Sequence, residues 1–140
     1  MTVLDNIPAI FLIDEEEIVN MINKTVIRRA GYKGEIKDFQ SGQEAFLFIK
    51  RLVANTPTPA NPYLLLLDLN MPGFSGWDFL NNFLSLKEEE RKQFKISILT
   101  SSVDPLDITK SSQFKDVVQF SFKPLTKNSF LKIVESILRP

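Results

Sequence analysis

The chain contains no cysteine and no histidine among its 140 residues. The first absence excludes disulfides, thiolate metal sites and a sulfur nucleophile. The second removes the commonest general base and the commonest transition-metal ligand. Any chemistry must therefore run on carboxylates, hydroxyls, lysine and hard cations. Excess charge of either sign is also missing. Lys plus Arg and Asp plus Glu both number 17, the formal net charge is zero and the sequence pI is about 6.3. That balance offers no basic surface for nucleic acid. No apolar run approaches the roughly 18 residues needed to cross a bilayer, and the N-terminus lacks a basic-then-apolar leader. The expected location is the cytoplasm, with neither membrane nor nucleic acid as partner. What is present, 44% hydrophobic and 24% charged residues, fits one globular domain over residues 1–140, with no room for a second.

The most informative stretch is YLLLLDLNMPGFSG, from Tyr63 to Gly76. An apolar run of strand length closed by turn residues predicts a strand buried on both faces, in the middle of a parallel sheet. Asp68 then stands at its carboxyl end, the edge at which open α/β sheets bind ligands. Ala9 to Ile13 is a second such run, ending in Asp14, Glu15, Glu16 and Glu17. Ile18, Met21, Ile22, Thr25 and Val26 follow at helical spacings, and Gly31 stops that helix after Arg28 and Arg29. Glu35 to Phe39 predicts a weaker strand, and Ser41 with Glu44 a capping box opening a helix that buries Ala45, Phe46, Ile49, Leu52 and Val53. Ala54 to Pro62, with three prolines, reads as a loop.

Beyond the central strand, Ser75-Gly76-Trp77-Asp78 opens a helix carrying Phe79, Leu80, Phe83 and Leu84. The charge run Lys87 to Lys95 reads as a solvated helix end or loop. Ile96 to Leu99 is a short strand closed by Thr100, Ser101 and Ser102. Asp104-Pro105 supplies an N-cap with proline at the first helical position. Val117 to Phe122 is the last strand, followed by Lys123-Pro124. A final helix from Thr126 points Phe130, Ile133, Val134 and Ile137 inward. Five strands alternating with five helices imply a doubly wound parallel sheet of order 2-1-3-4-5, which sets strands one and three side by side.

That topology gathers Asp14 and Glu15, Asp68, Thr100 and Lys123 on one sheet edge. Each has an ordinary structural reading: Asp68 as a turn residue, Asp14 and Glu15 as acids at a helix start, Thr100 as a strand end, Lys123 as a loop lysine. Their joint occurrence on one edge favours a site. Three carboxylates in one crevice require a counter-ion. Lys123 and a divalent cation are the candidates, and all-oxygen ligation favours Mg²⁺ or Mn²⁺ over zinc. Carboxylate, hydroxyl, lysine and hard cation together make a phosphoryl-transfer site in which Asp68 attacks in line.

The set FLIDEE, LLLLDLNMPGFSG, ILTSS and FSFKPL closely resembles the receiver domain of two-component response regulators, over about residues 8 to 138. The resemblance implies a flavodoxin-like (βα)5 sandwich of the stand-alone chemotaxis-regulator type, with no output domain after Arg139. It implies Asp68 as phosphoacceptor, and Asp14, Glu15, Asp68 and the Asn70 backbone carbonyl as Mg²⁺ ligands. Thr100 becomes the switch hydroxyl, Lys123 the phosphate-pairing lysine, Phe120 the aromatic switch position and Pro124 a cis-proline. A sensor histidine kinase or a histidine phosphotransfer protein would donate the phosphoryl group. A downstream protein would read the face from Thr100 to Phe122, through which receivers also form homodimers. Such a chain is no enzyme beyond its own phosphorylation and dephosphorylation. Two positions depart from the family: Glu15 stands where Asp is usual, and Phe120 lacks the hydroxyl of the frequent Tyr. The loop from Ala54 to Pro62 is longer than usual. Asn70 and Ser102 occupy positions that influence an attacking water.

Three other readings compete. An aspartyl-phosphate phosphatase wants a second acid two residues after its nucleophile, where this chain has Asn70. A flavodoxin-like cofactor binder needs a Ser/Thr/Gly-rich phosphate cradle after the first strand, where this chain has Asp14 through Glu17. A degenerate receiver used only for docking has Glu15 alone in its favour.

Overall fold

The computed structural model describes residues 3–101 and 104–137; Ser102 and Arg139, named above, lie outside them. After a 3-10 turn at Val3–Asn6 come β1 (Ala9–Ile13), α1 (Glu17–Arg29), β2 (Glu35–Phe39), α2 (Gly42–Asn55), β3 (Tyr63–Leu67) and α3 (Gly76–Phe83). Then follow α4 (Glu88–Arg91), β4 (Phe94–Thr100), α5 (Pro105–Ser111), β5 (Val117–Phe122) and α6 (Lys127–Ile137). All five strands are parallel, in the order β2-β1-β3-β4-β5. The order is the expected one. The helix count is not, because part of the charge run forms the single turn α4 while its end starts β4. The loop after α2 is also shorter than expected, since Ala54 and Asn55 are still helical. Among the described residues no helix is long and apolar enough to cross a membrane.

Every residue of β1 and of β3 is buried, which is why their sequences show no alternation. Side chains alternate across the sheet and feed two separate cores. Phe11, Leu65, Leu67, Ile96 and Ile98 pack on one face against α2 and α3; Ile10, Leu12, Leu64, Leu66 and Leu99 pack on the other against α1 and α6. Lys110 of α5 lies 4.3 Å over the Trp77 ring of α3, and Phe114 stands beside it, with ring centroids 6.3 Å apart.

The caps behave as their chemistry requires. Ser75 and Asp78 form a reciprocal capping box, whereas Ser41 Oγ accepts from the Glu44 amide at 3.3 Å without the return bond. Asp104 caps α5 with Pro105 in its first turn. Helix α1 holds a surprise. Most of the apolar stripe that marks it as a helix faces solvent, with Ile18 70% and Met21 60% exposed and only Val26 packed on the core, while its buried residues are Asn20, Asn23 and Ile27.

Candidate functional site

Strands β1 and β3 are paired through Ile13 and Leu67, so the next residue of each, Asp14 and Asp68, leaves the sheet side by side. The Asp68 amide donates to the Ile13 carbonyl at 3.0 Å, and the Asp14 amide to that of Phe39 at 3.1 Å. Both aspartates are buried. On the other flank Thr100 ends β4 opposite Phe122, and the Lys123 amide donates to the Thr100 carbonyl at 2.9 Å. That bond delivers the lysine side chain back across the sheet edge. Its Nζ lies 2.6 Å from Asp14 Oδ2 and 3.3 Å from Asp68 Oδ2. The Lys123–Pro124 peptide bond is cis.

Loop atoms complete the cluster. Asp14 Oδ1 accepts from the Glu16 amide at 2.9 Å, and Asp68 Oδ1 accepts from the Asn70 amide at 3.2 Å. The Asn70 side-chain amide donates to Thr100 Oγ1 at 3.3 Å, with Thr100 fully buried. Gly76 is required here for space: a Cβ on it would collide with the Asp68 carbonyl and stand 2.7 Å from Leu69 Cα.

Burial pushes the Asp68 carboxyl above the ordinary aspartate range; the Lys123 charge opposes that and the Asp14 charge adds to it. For Lys123, burial works against the ammonium, but the bond to Asp14 and the charges of Asp68 and Asp14 outweigh it and raise its affinity for the proton. The lysine is therefore a permanent cation shared by two carboxylates. One formal negative charge is left over in a buried setting, and the ligating atoms that Asp14 and Asp68 offer there are oxygens. That donor set fits a hard divalent cation.

The structure thus brings together Asp14, Asp68, Asn70, Thr100 and Lys123. It does not bring Glu15 with them. Glu15 is exposed at the rim of a groove of about 430 Å³, walled also by Ser41, Gly42, Met71 and Phe74. Among the described residues no three carboxylates converge tightly enough to hold a metal by themselves. Phe120 is half-buried, edge-on to Phe122 with centroids 5.6 Å apart. Sequence reasoning missed Asn20, whose side chain holds the Asp14 carbonyl at 3.0 Å. The signal was available: Asn20, Asn23 and Ile27 form a second stripe at helical spacing, but two of its three members are polar.

Known proteins share this fold. The family model "Response regulator receiver domain" matches residues 10–135. A two-component response regulator from Cytophaga hutchinsonii is 31% identical, with a TM-score of 0.83, over 94% of this chain and 97% of that one. A response regulator receiver protein from Dyadobacter fermentans (TM-score 0.81, 19% identity, 94% and 98% covered) and the chemotaxis protein CheY4 of Vibrio cholerae (0.70, 18%, 94% and 99%) share the fold. No curated protein matches the chain in sequence. Receiver domains are phosphoacceptor signalling domains, not enzymes in the usual sense, and they generally bind Mg²⁺ at their acidic phosphorylation site. On the match over nearly its whole length, the chain belongs to the response regulator receiver family and serves two-component phosphorelay signalling.

Proposed function

We propose that Asp68 is the phosphoacceptor and that Asp14, Thr100 and Lys123 are the groups that make it one. The observation that carries this reading is the Lys123 ammonium lying between the Asp14 and Asp68 carboxylates at 2.6 and 3.3 Å. A carboxylate oxygen of Asp68 attacks the phosphorus of a phosphohistidine on a sensor kinase or phosphotransfer protein. The new O–P bond forms as the P–N bond breaks, and the electron pair leaves with the imidazole nitrogen. Lys123 pairs with a phosphoryl oxygen as charge builds on the group. Asp14, Asp68 and the Asn70 carbonyl would hold Mg²⁺, and Glu15, out at the groove rim, would reach the cation only through water. When bound, the cation neutralises phosphoryl oxygens that two buried carboxylates would otherwise repel.

Signalling follows from the Asn70–Thr100 contact. Once Asp68 carries a phosphoryl group, the Thr100 hydroxyl exchanges the Asn70 amide for a phosphoryl oxygen. The strand end moves with it and Phe120 repacks, changing the face between Thr100 and Phe122 that a downstream protein or a second copy reads. The setting for this chemistry is the cytoplasm.

Incubation with acetyl phosphate and Mg²⁺, followed by intact mass measurement, tests the assignment. One added phosphoryl group is expected on the wild type and none on Asp68→Asn. Equal labelling of the two proteins would overturn it.

A further inference from the structure

The end of β1 must be held firmly if Asp14 is to meet both Lys123 and a cation, and the hold comes from α1. Asn20 is 1% exposed. Its Nδ2 donates to the Asp14 carbonyl at 3.0 Å and to the Phe39 carbonyl at 3.3 Å. Two carbonyl acceptors fix which way the amide points, because only its nitrogen can donate to them. The Oδ1 atom is thereby left as an acceptor. It is buried, and it has no hydrogen-bond donor among the described residues. A buried amide oxygen in that condition is unfavourable enough to call for a partner.

Asn23 follows at a spacing of three, on the same helical face, and is 5% exposed. A helix packed on a sheet would ordinarily place apolar side chains at such positions. Here both amides line a small cavity of about 10 Å³ whose other walls include Asp14, Asp68, Leu66 and Leu99. That volume accommodates roughly one water, and the polar walls offer the two to four partners a buried water takes.

We propose that Asn20 and Asn23 seat one buried water beneath the Asp14–Asp68 pair, and that Asn20 is a positioning residue for phosphoryl acceptance that acts through Asp14. The inference rests on the assignment of Asp14 and Asp68 made above. The water donates to Asn20 Oδ1 and to a carboxylate, and accepts from the Asn23 amide. Hydrogen bonding from below orients the acidic pair and leaves its outward lone pairs to Lys123 and the cation. This is how outer-shell groups tune a hard-metal site.

Three variants and two metal-free crystal structures, of the wild type and of Asn20→Ala, test this. Asn20→Ala removes the hold on Asp14 and a wall of the cavity; Asn23→Leu fills the cavity but keeps the hold. Ile27→Ala loosens the inward face of the same helix without touching either. Calorimetric titration with Mg²⁺ should show a Kd raised about tenfold in Asn20→Ala and by a smaller factor in Asn23→Leu. Ile27→Ala, though less stable, should bind as the wild type does. Metal-free wild-type crystals should show an ordered water within hydrogen-bond reach of Asn20 Oδ1. An unchanged Kd in Asn20→Ala, an equal loss in Ile27→Ala, or the absence of that water would overturn the inference. A wild type that bound no Mg²⁺ would sink the assignment of the metal ligands instead. The metal-free crystals then decide this question alone: the water must be present, and the Asp14 carboxylate must shift in Asn20→Ala.

Discussion

At the scale of single residues, the site is a problem in charge. Lys123, its side chain 18% exposed, is the shared counter-ion of Asp14 and Asp68. Lys123→Ala should destabilise the metal-free protein by roughly 2–3 kcal/mol, less than a fully buried pair would lose. Saturating Mg²⁺ should restore part of that in a thermal melt while phosphorylation stays lost. Asp68 supplies the opposite experiment. Its folded pKa lies above the unfolded value because burial disfavours its charge, so the native state holds the proton better. Stability is then drawn down as pH rises through the interval above the ordinary aspartate pKa. Metal-free Asp68→Asn escapes that loss. It should melt a few degrees above the wild type at neutral pH, with the gap closing toward about pH 4. A wild type that melts higher at neutral pH would contradict the argument.

At the scale of elements, placement depends on backbone approach and on caps. Helix α3 starts so close to the end of β3 that Gly76→Ala should cost roughly 2–3 kcal/mol in a denaturant titration, by forcing apart the Asp68 and Leu69 backbone. The same variant should slow phosphorylation by acetyl phosphate, whereas Ser75→Ala should lose only about 1 kcal/mol of capping. These elements also show what the sequence can and cannot disclose. Unbroken apolar runs announced β1 and β3, and their pairing followed from topology, so Asp14 beside Asp68 was legible. Helix α1 was legible as a helix but not in its orientation. Periodicity finds a stripe; it does not say that the stripe of Ile18 and Met21 faces water while Asn20 and Asn23 face the sheet. That inversion arises because the inward face lies under a polar site rather than over plain core. The exposure of Glu15 was hidden for a related reason. Adjacent residues leave a strand end in different directions, and the next turn alone decides which one reaches the crevice.

At the scale of the whole molecule, two cores share one sheet, with β1, β3 and β4 contributing to both. Unfolding by heat should therefore be a single transition, coincident by far-UV circular dichroism and by the fluorescence of Trp77. Mg²⁺ at ten times its Kd should add about 1.4 kcal/mol to the wild type and little to Asp68→Asn. Two separate transitions would show that the cores melt independently. The ion pair between Asp14 and Lys123 joins residues 109 apart in sequence, from the first strand to the loop after the last. On the assignment proposed above, a chain still emerging from the ribosome carries Asp68 long before it carries the cation that serves it. Nascent fragments ending before β5 should then be deaf to a phosphoryl donor, and only the finished fold should hear one.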